Sequence, residues 1–253
     1  PGTATCTIYA GGGFTLPVEG MSSDEHYALT YGTGRQMNDP ELLDVFSSNA
    51  RSIVDFLKRA AVPFDLRRGG LGLKRSQGFP LLGGKALTDT LFQACVNEGV
   101  EFLSNLAVNR ILTNEHGASG VECIDCSSGR SIALGADVVV LAAGGGGALY
   151  KRTDNPKRIT GDGYRLALDV GCQLSDMEFV QFYPTGFDIP GGSHWFIDLG
   201  ILDIARATAP DGREFLKELF AEKGISSGRE ANLLLRDMCS VAIAKQNQTG
   251  QCL

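Results

Sequence analysis

From Ala136 to Gly147 the chain reads Ala-Asp-Val-Val-Val-Leu-Ala-Ala-Gly-Gly-Gly-Gly, a short apolar run delivered straight into four glycines. A continuously apolar stretch of this length, here Val138 to Leu141, is the pattern of a strand covered on both faces in an α/β sheet. Small residues at the carboxyl end of such a strand leave room where an α/β sheet offers its ligand crevice. Two readings stay open: a tight strand-to-helix turn, or backbone that a nucleotide approaches closely. Leu149 stands where the last glycine of a G-x-G-x-x-G would fall. Glycine supplies 33 of the 253 residues, roughly twice its usual ~7% share. The surplus is clustered rather than periodic, at Gly11 to Gly13, Gly144 to Gly147, and Gly161 with Gly163.

Composition removes several classes of function. With 43% hydrophobic residues over this length, the chain is expected to bury a full core. Lys and Arg number 23 against 29 Asp and Glu, for a net charge of −6 without a basic block, so no nucleic-acid or anionic-membrane surface is expected. The longest apolar run is far below the ~20 residues of a membrane span. Seven cysteines, an odd count without a framework, predict reduced thiols and a cytoplasmic compartment. Cys123 and Cys126 form a lone CxxC, read as ordinary sheet positions, and no metal site is expected. The chain starts at Pro1 and carries no basic signal-peptide region, so it is expected to begin inside a longer protein.

Periodicity and caps predict a helix from Ser22 to Tyr31, then a longer one capped by Asn38 or Asp39, with Pro40 in its first turn. Its expected apolar stripe is Leu42, Leu43, Val45, Phe46, Ile53, Val54 and Leu57. Residues 64–85 read as loops or a small excursion, and Thr88 to Glu98 as a helix. Short strands are expected at Val100 to Leu103, Val108 to Leu112, Gly120 to Cys126, Ser131 to Leu134 and Met177 to Phe182. Helices are expected at Asp162 to Val170, Glu214 to Glu222 and Glu230 to Gln246, the last with Leu233, Leu234, Met238, Val241 and Ala242 on its apolar side. His26 reads as structural or exposed.

Two further strings follow the glycine run in order: Thr160-Gly-Asp-Gly163, opening a helix, and Gln181-Phe-Tyr-Pro-Thr-Gly186. With Leu141-Ala-Ala-Gly-Gly145 ahead of them, the chain resembles the flavoprotein subunit family of succinate dehydrogenases and fumarate reductases, which also contains L-aspartate oxidase. The family's Thr-Gly-Asp-Gly is reproduced, and its Gln-Phe-His-Pro-Thr-Gly is present with Tyr183 in place of histidine. Cys6-Thr-Ile-Tyr-Ala-Gly-Gly-Gly13 is similar to the family's Ala-Gln-Gly-Gly segment beside the flavin ring, with Cys6 where covalent members carry a flavin-linking histidine. Leu235-Arg-Asp-Met-Cys-Ser240 looks like the family's Arg-Asp helix, whose arginine delivers a proton to substrate.

The resemblance implies an α/β fold: a partial, glutathione-reductase-like FAD-binding domain over residues 1–186, lacking its N-terminal G-x-G-x-x-G unit. The start of an α+β capping domain would follow over 187–253. It implies noncovalent FAD held by Cys6, Thr7, Ala10, Gly11, Gly12, Gly13, Val108, Ala143, Gly144, Gly145 and Asp162, with Arg236 catalytic and Tyr183 against a small-molecule substrate. Arg236 has a plainer reading as a solvated charge paired with Asp237, and the matching string around it favours catalysis. The family's Thr-Glu-x-x-Arg-Gly segment is missing, so fumarate itself is a doubtful substrate; His194 and Arg206 are candidate replacements, with a surface histidine and a salt-bridged arginine as the favoured readings. The expected activity is FAD-dependent oxidation or reduction of a carbon–carbon bond in an organic acid or related compound. Alternatives are a non-catalytic or truncated homologue acting in binding or assembly, or one chain of a hetero-oligomer whose partner supplies the missing unit or electrons.

Overall fold

A computed structural model describes residues 5–74, 83–187 and 195–249. Two compact units divide the chain: residues 1–150 with 155–174, and residues 151–154 with 175–253.

The first unit opens with a single helical turn, α1 (Cys6–Tyr9), followed by β1 (Gly13–Thr15). Helix α2 (Ser23–Thr33) starts where the Ser22 hydroxyl accepts the Glu25 amide, one of the orphan donors that every helix start must satisfy. Asp39, not Asn38, caps α3 (Pro40–Ser48), its carboxylate accepting the Glu41 and Leu42 amides. The helix then stops. Asn49 leaves helical geometry (φ −98°, ψ 13°) and its side chain donates to the Val45 carbonyl, after which α4 (Ala50–Arg59) begins anew.

That interruption overturns the single expected stripe. Counting every 3.6 residues through Asn49 merges two faces that the break sets at different angles. Leu43, Ala50, Val54 and Leu57 are buried, whereas Leu42, Val45 and Phe46 are exposed.

The expected excursion after residue 63 is a pair of strands, β2 (Phe64–Arg67) and β3 (Gly70–Leu73), making with β1 an antiparallel sheet of order β1-β3-β2. Leu71 and Leu73 face inward against Leu16, Val54, Leu57, Val62 and Leu87, the last from α5 (Gly83–Asn97). A second sheet is a meander of β4 (Leu106–Asn114), β5 (Gly117–Asp125) and β6 (Ser131–Gly135). Its β5–β6 turn falls on Ser127 to Gly129, where Asp125 accepts the Ser127 amide and the Ser128 hydroxyl. Cys123 is buried within β5. Helix α6 (Asp162–Asp169) follows a 3₁₀ turn at Gly147–Leu149.

Three expected strands are absent. Val100 to Leu103 has no ladder partner among the described residues, and Phe102 instead packs its ring on Phe92 of α5, centroids 4.7 Å apart. Val138 to Leu141, expected buried, is not assigned as a strand, and Val138 and Val140 are 75% and 82% exposed. An apolar run becomes a covered strand only where a neighbour pairs with it, and none among the described residues does. In Met177 to Phe182, Asp176 at φ +59° turns the chain just before the run, and Met177, Phe179, Val180 and Phe182 are exposed.

The second unit carries a two-stranded ribbon, β7 (Gly186–Phe187) with β8 (Trp195–Phe196), then a 3₁₀ turn at Leu199–Asp203 and α7 (Phe215–Glu222). The long C-terminal helix expected from the sequence is two helices, α8 (Gly228–Leu234) and α9 (Arg236–Thr249), separated by Leu235 at φ −128°. Leu235 and Cys239 turn inward onto Leu199, Phe215, Leu216 and Phe220. Leu233 and Val241, expected on the apolar side, are exposed, because the break again shifts the face. Among the described residues no helix is long and apolar enough to cross a membrane, and no cluster of ligating side chains suits a metal ion.

Candidate functional site

The first glycine cluster hangs between α1 and β1. Its members do different jobs. Gly12 has φ +85°, and a Cβ there would lie 2.9 Å from the Gly83 Cα; a side chain at Gly84 would strike the Thr7 carbonyl oxygen. These two glycines exist so that α5 can press against α1, bonded by the Gly84 amide to the Ala10 carbonyl at 3.1 Å. Gly11 is unlike them. Its backbone is not left-handed, it is exposed, and a Cβ on it would meet nothing within 4 Å. One residue before α1, the Thr5 hydroxyl oxygen is buried without a hydrogen-bond partner. An open face of bare backbone such as that at Gly11 suits the close approach of a flat ring system.

The second cluster is folded onto the third. Gly144 turns at φ +76°, the Gly161 amide donates to the Gly145 carbonyl at 3.1 Å, and the Ala148 amide donates to the Ile159 carbonyl at 2.9 Å. A Cβ on Gly163 would sit 3.2 Å from that of Ala143, so a side chain at 163 would crowd this contact. Gly161, at φ +78°, gives α6 its start. Asp162 then stands exposed at the helix N-terminus, accepting the Thr160 hydroxyl at 2.5 Å. Val108 is 41% exposed on β4, whose next carbonyl, that of Asn109, accepts the Arg165 guanidinium of α6 at 2.7 Å.

Asn155 joins the first cluster to the second. It accepts the Cys6 thiol at 3.0 Å, and its side chain fills the space that a Cβ on Gly147 would need. Sequence reasoning missed it. The Asn-Pro pair marks a turn, but nothing local announces a partner 149 residues away. Within the first unit, Asn155 thus links Cys6 to Gly147, and the Gly161 amide links the start of α6 at Asp162 to Gly145.

In the second unit Tyr183 and Arg236 come together. The Arg236 guanidinium carbon lies 5.1 Å from the Tyr183 ring centroid, within cation–π range. The ring's other neighbour is Phe196 at 4.8 Å. The Tyr183 hydroxyl lies 3.0 Å from the Asn232 side-chain oxygen and 3.3 Å from Asp198, and the Asn232 amide donates to Asp198 at 2.8 Å. Burial, followed by the negative charge of Asp198 and opposed by the positive charge of Arg236, pushes the phenol up to about 12. Arg236 opens α9 and its Nε is buried without an acceptor. Asp198 and Asn232 had no signal in the sequence: each is an ordinary polar residue until Tyr183 is seen between them. His194 lies outside the described residues, and Arg206 is an exposed group 3.9 Å from Glu214.

The sequence model of the family described as FAD binding domain matches residues 1–248. The chain belongs to that family. L-aspartate oxidase of Halalkalibacterium halodurans is 30% identical over 258 residues, covering 98% of this chain and 47% of the relative. Fumarate reductase flavoprotein subunit of Proteus vulgaris is 30% identical over 196 residues, covering 73% of this chain and 32% of its own length. In fold, a structure of E. coli quinol fumarate reductase superposes with a TM-score of 0.81 at 24% identity, over 99% of this chain and 45% of that one. This FAD-binding-family chain therefore has the flavoprotein fold expected from its motifs, and spans less than half the length of these curated relatives.

Proposed function

We propose that this chain is the central part of a FAD-dependent oxidoreductase that moves a hydride between flavin and a carbon–carbon bond of an organic acid or related substrate. The observation that carries the reading is the family match over residues 1–248, together with the bare, open backbone at Gly11. Flavin would be held noncovalently by Cys6, Thr7, Ala10, Gly11 to Gly13, Val108, Ala143, Gly144, Gly145 and Asp162, the Cys6 thiol being hydrogen-bonded to Asn155. Residues 1–186 form the glutathione-reductase-like domain and 187–253 begin the capping domain. FAD, when bound, supplies a carrier that accepts or returns a hydride.

The chain's own residues supply the rest. Asp162, at the N-terminus of α6, offers a carboxylate to a hydrogen-bond donor on the cofactor's edge. Arg236, always protonated in water, is kept over an aromatic face with one N–H lacking an acceptor, so it can orient a substrate carboxylate and pass a proton. Tyr183 fixes the guanidinium from below. A partner chain delivering electrons and a cytoplasmic location, from the absence of a disulfide among the described cysteines, complete the proposal.

Flavin uptake tests it. The full-length protein should show visible flavin absorbance that dithionite bleaches and an unsaturated acid restores. Arg236→Ala should keep the flavin and lose turnover by about 10²- to 10⁴-fold. A colourless protein that takes up no added FAD would overturn the reading.

A further inference from the structure

Tyr183, Asp198 and Asn232 form a hydrogen-bonded triangle whose polarity is settled by proton counting. A phenol has one proton. The shorter contact from the Tyr183 hydroxyl, 3.0 Å, is to the Asn232 carbonyl oxygen, which can only accept. Asn232 in turn donates from its amide nitrogen to Asp198 Oδ2, while the Gly200 backbone amide donates to Asp198 Oδ1 at 2.7 Å. The phenolic proton is therefore already engaged inside the triangle. What the triangle leaves free is acceptor capacity: the remaining lone pair of Tyr183 and the exposed carboxylate of Asp198.

Over the face of the Tyr183 ring the sign reverses. Among the described residues Arg236 has no ion-pair partner, and its guanidinium rests on the ring face with Nε unsatisfied. Asp198 and Arg236 are thus opposite charges held on one aromatic spacer without neutralising each other. A ligand that satisfies both would carry an acceptor at one end and a donor at the other.

We propose that the Tyr183–Asp198–Asn232 triangle is a specificity element that selects a hydrogen-bond-donating group, an amide or an ammonium, at one end of the substrate, while Arg236 takes a carboxylate at the other. Asp198 is the determinant. A second carboxylate placed against it would bring like charges together and find no free proton to accept. This rests on the proposed function, in that the ligand is the substrate of the flavoenzyme.

Fumarate and its monoamide, fumaramate, have the same shape and differ only in whether one end carries a charge or N–H donors. Binding of each to the full-length, FAD-loaded protein, measured calorimetrically near neutral pH, should favour fumaramate by about tenfold or more, the scale on which one like-charge contact near a protein surface acts. Asp198→Asn should shrink or reverse that ratio. Tyr183→Phe, which keeps the ring and removes the lone pair, should weaken fumaramate more than fumarate. Fumarate binding to the unsubstituted protein as tightly as fumaramate, or a ratio that Asp198→Asn leaves unchanged, would overturn the proposal. These outcomes leave flavin uptake intact and so overturn the specificity element alone, whereas a protein that takes no FAD overturns the oxidoreductase reading and this inference with it.

Discussion

His26 is the most enclosed titratable side chain of the first unit, 1% exposed, with Nδ1 3.0 Å from the Ser47 hydroxyl and its ring against Phe46. Burial holds its imidazole below the ordinary value, outweighing the influence of the Thr15 backbone, which acts the other way. The sign follows. Below about pH 6.5 the unfolded chain takes up a proton that the folded ring still refuses, so the unfolded state binds more protons and stability falls with falling pH. The loss should begin near pH 6.5 and continue until the folded ring itself titrates. Urea denaturation across pH 5 to 8 should show this slope, and His26→Gln should flatten it whatever it does to stability at pH 8. The sequence supports only a structural or exposed histidine here, because the partner that encloses it, Ser47, lies one helix away.

Helices that carry their own punctuation were legible: the Ser22 and Asp39 caps, the α6 start at Gly161, and the β5–β6 turn all rest on residues within one turn of the element they shape. Elements whose fate depends on a distant neighbour were not. Val138 to Leu141 has the composition of a buried strand and lacks a described partner, and the two long stripes broke at Asn49 and Leu235, neither of which is a helix-breaking residue type. The glycine clusters fall between these cases. Their positions were evident, but their division of labour emerged only from what each Cβ would touch, and it separates two variants. Gly84→Ala puts a methyl into the Thr7 carbonyl and should cost about 1–3 kcal/mol by overpacking, lowering the thermal midpoint with or without flavin. Gly11→Ala meets open space and should change stability of the flavin-free protein by less than about 0.5 kcal/mol, yet weaken FAD uptake. Thermal denaturation beside a flavin titration distinguishes them; equal losses of stability would show that Gly11 is packed like its neighbour.

At the scale of the whole chain, two cores form around different elements, one on the β1-β3-β2 sheet with α4 and α5, the other on α7, α8 and α9. Their boundary was not visible in composition, since the segment 151–154 belongs with the second unit while 155–174 returns to the first. Cysteines are distributed so that each unit hides one. Cys123 is 2% exposed in β5, and Cys239 is fully buried in α9, its thiol pushed up to about 11 chiefly by burial and further by Asp237. Cys6, Cys126 and Cys172 are exposed. A thiolate, not a thiol, attacks alkylating reagents, so Cys123 and Cys239 should stay unmodified in the native protein while the exposed three react. Mass spectrometry of peptides after brief alkylation along a denaturant series would read each burial separately. The two hidden sulfurs thereby act as a pair of built-in clocks, one in the β4-β5-β6 sheet of the first unit and one in the core of the second, and whether they strike together or apart tells whether this chain unfolds as one cooperative body or as two.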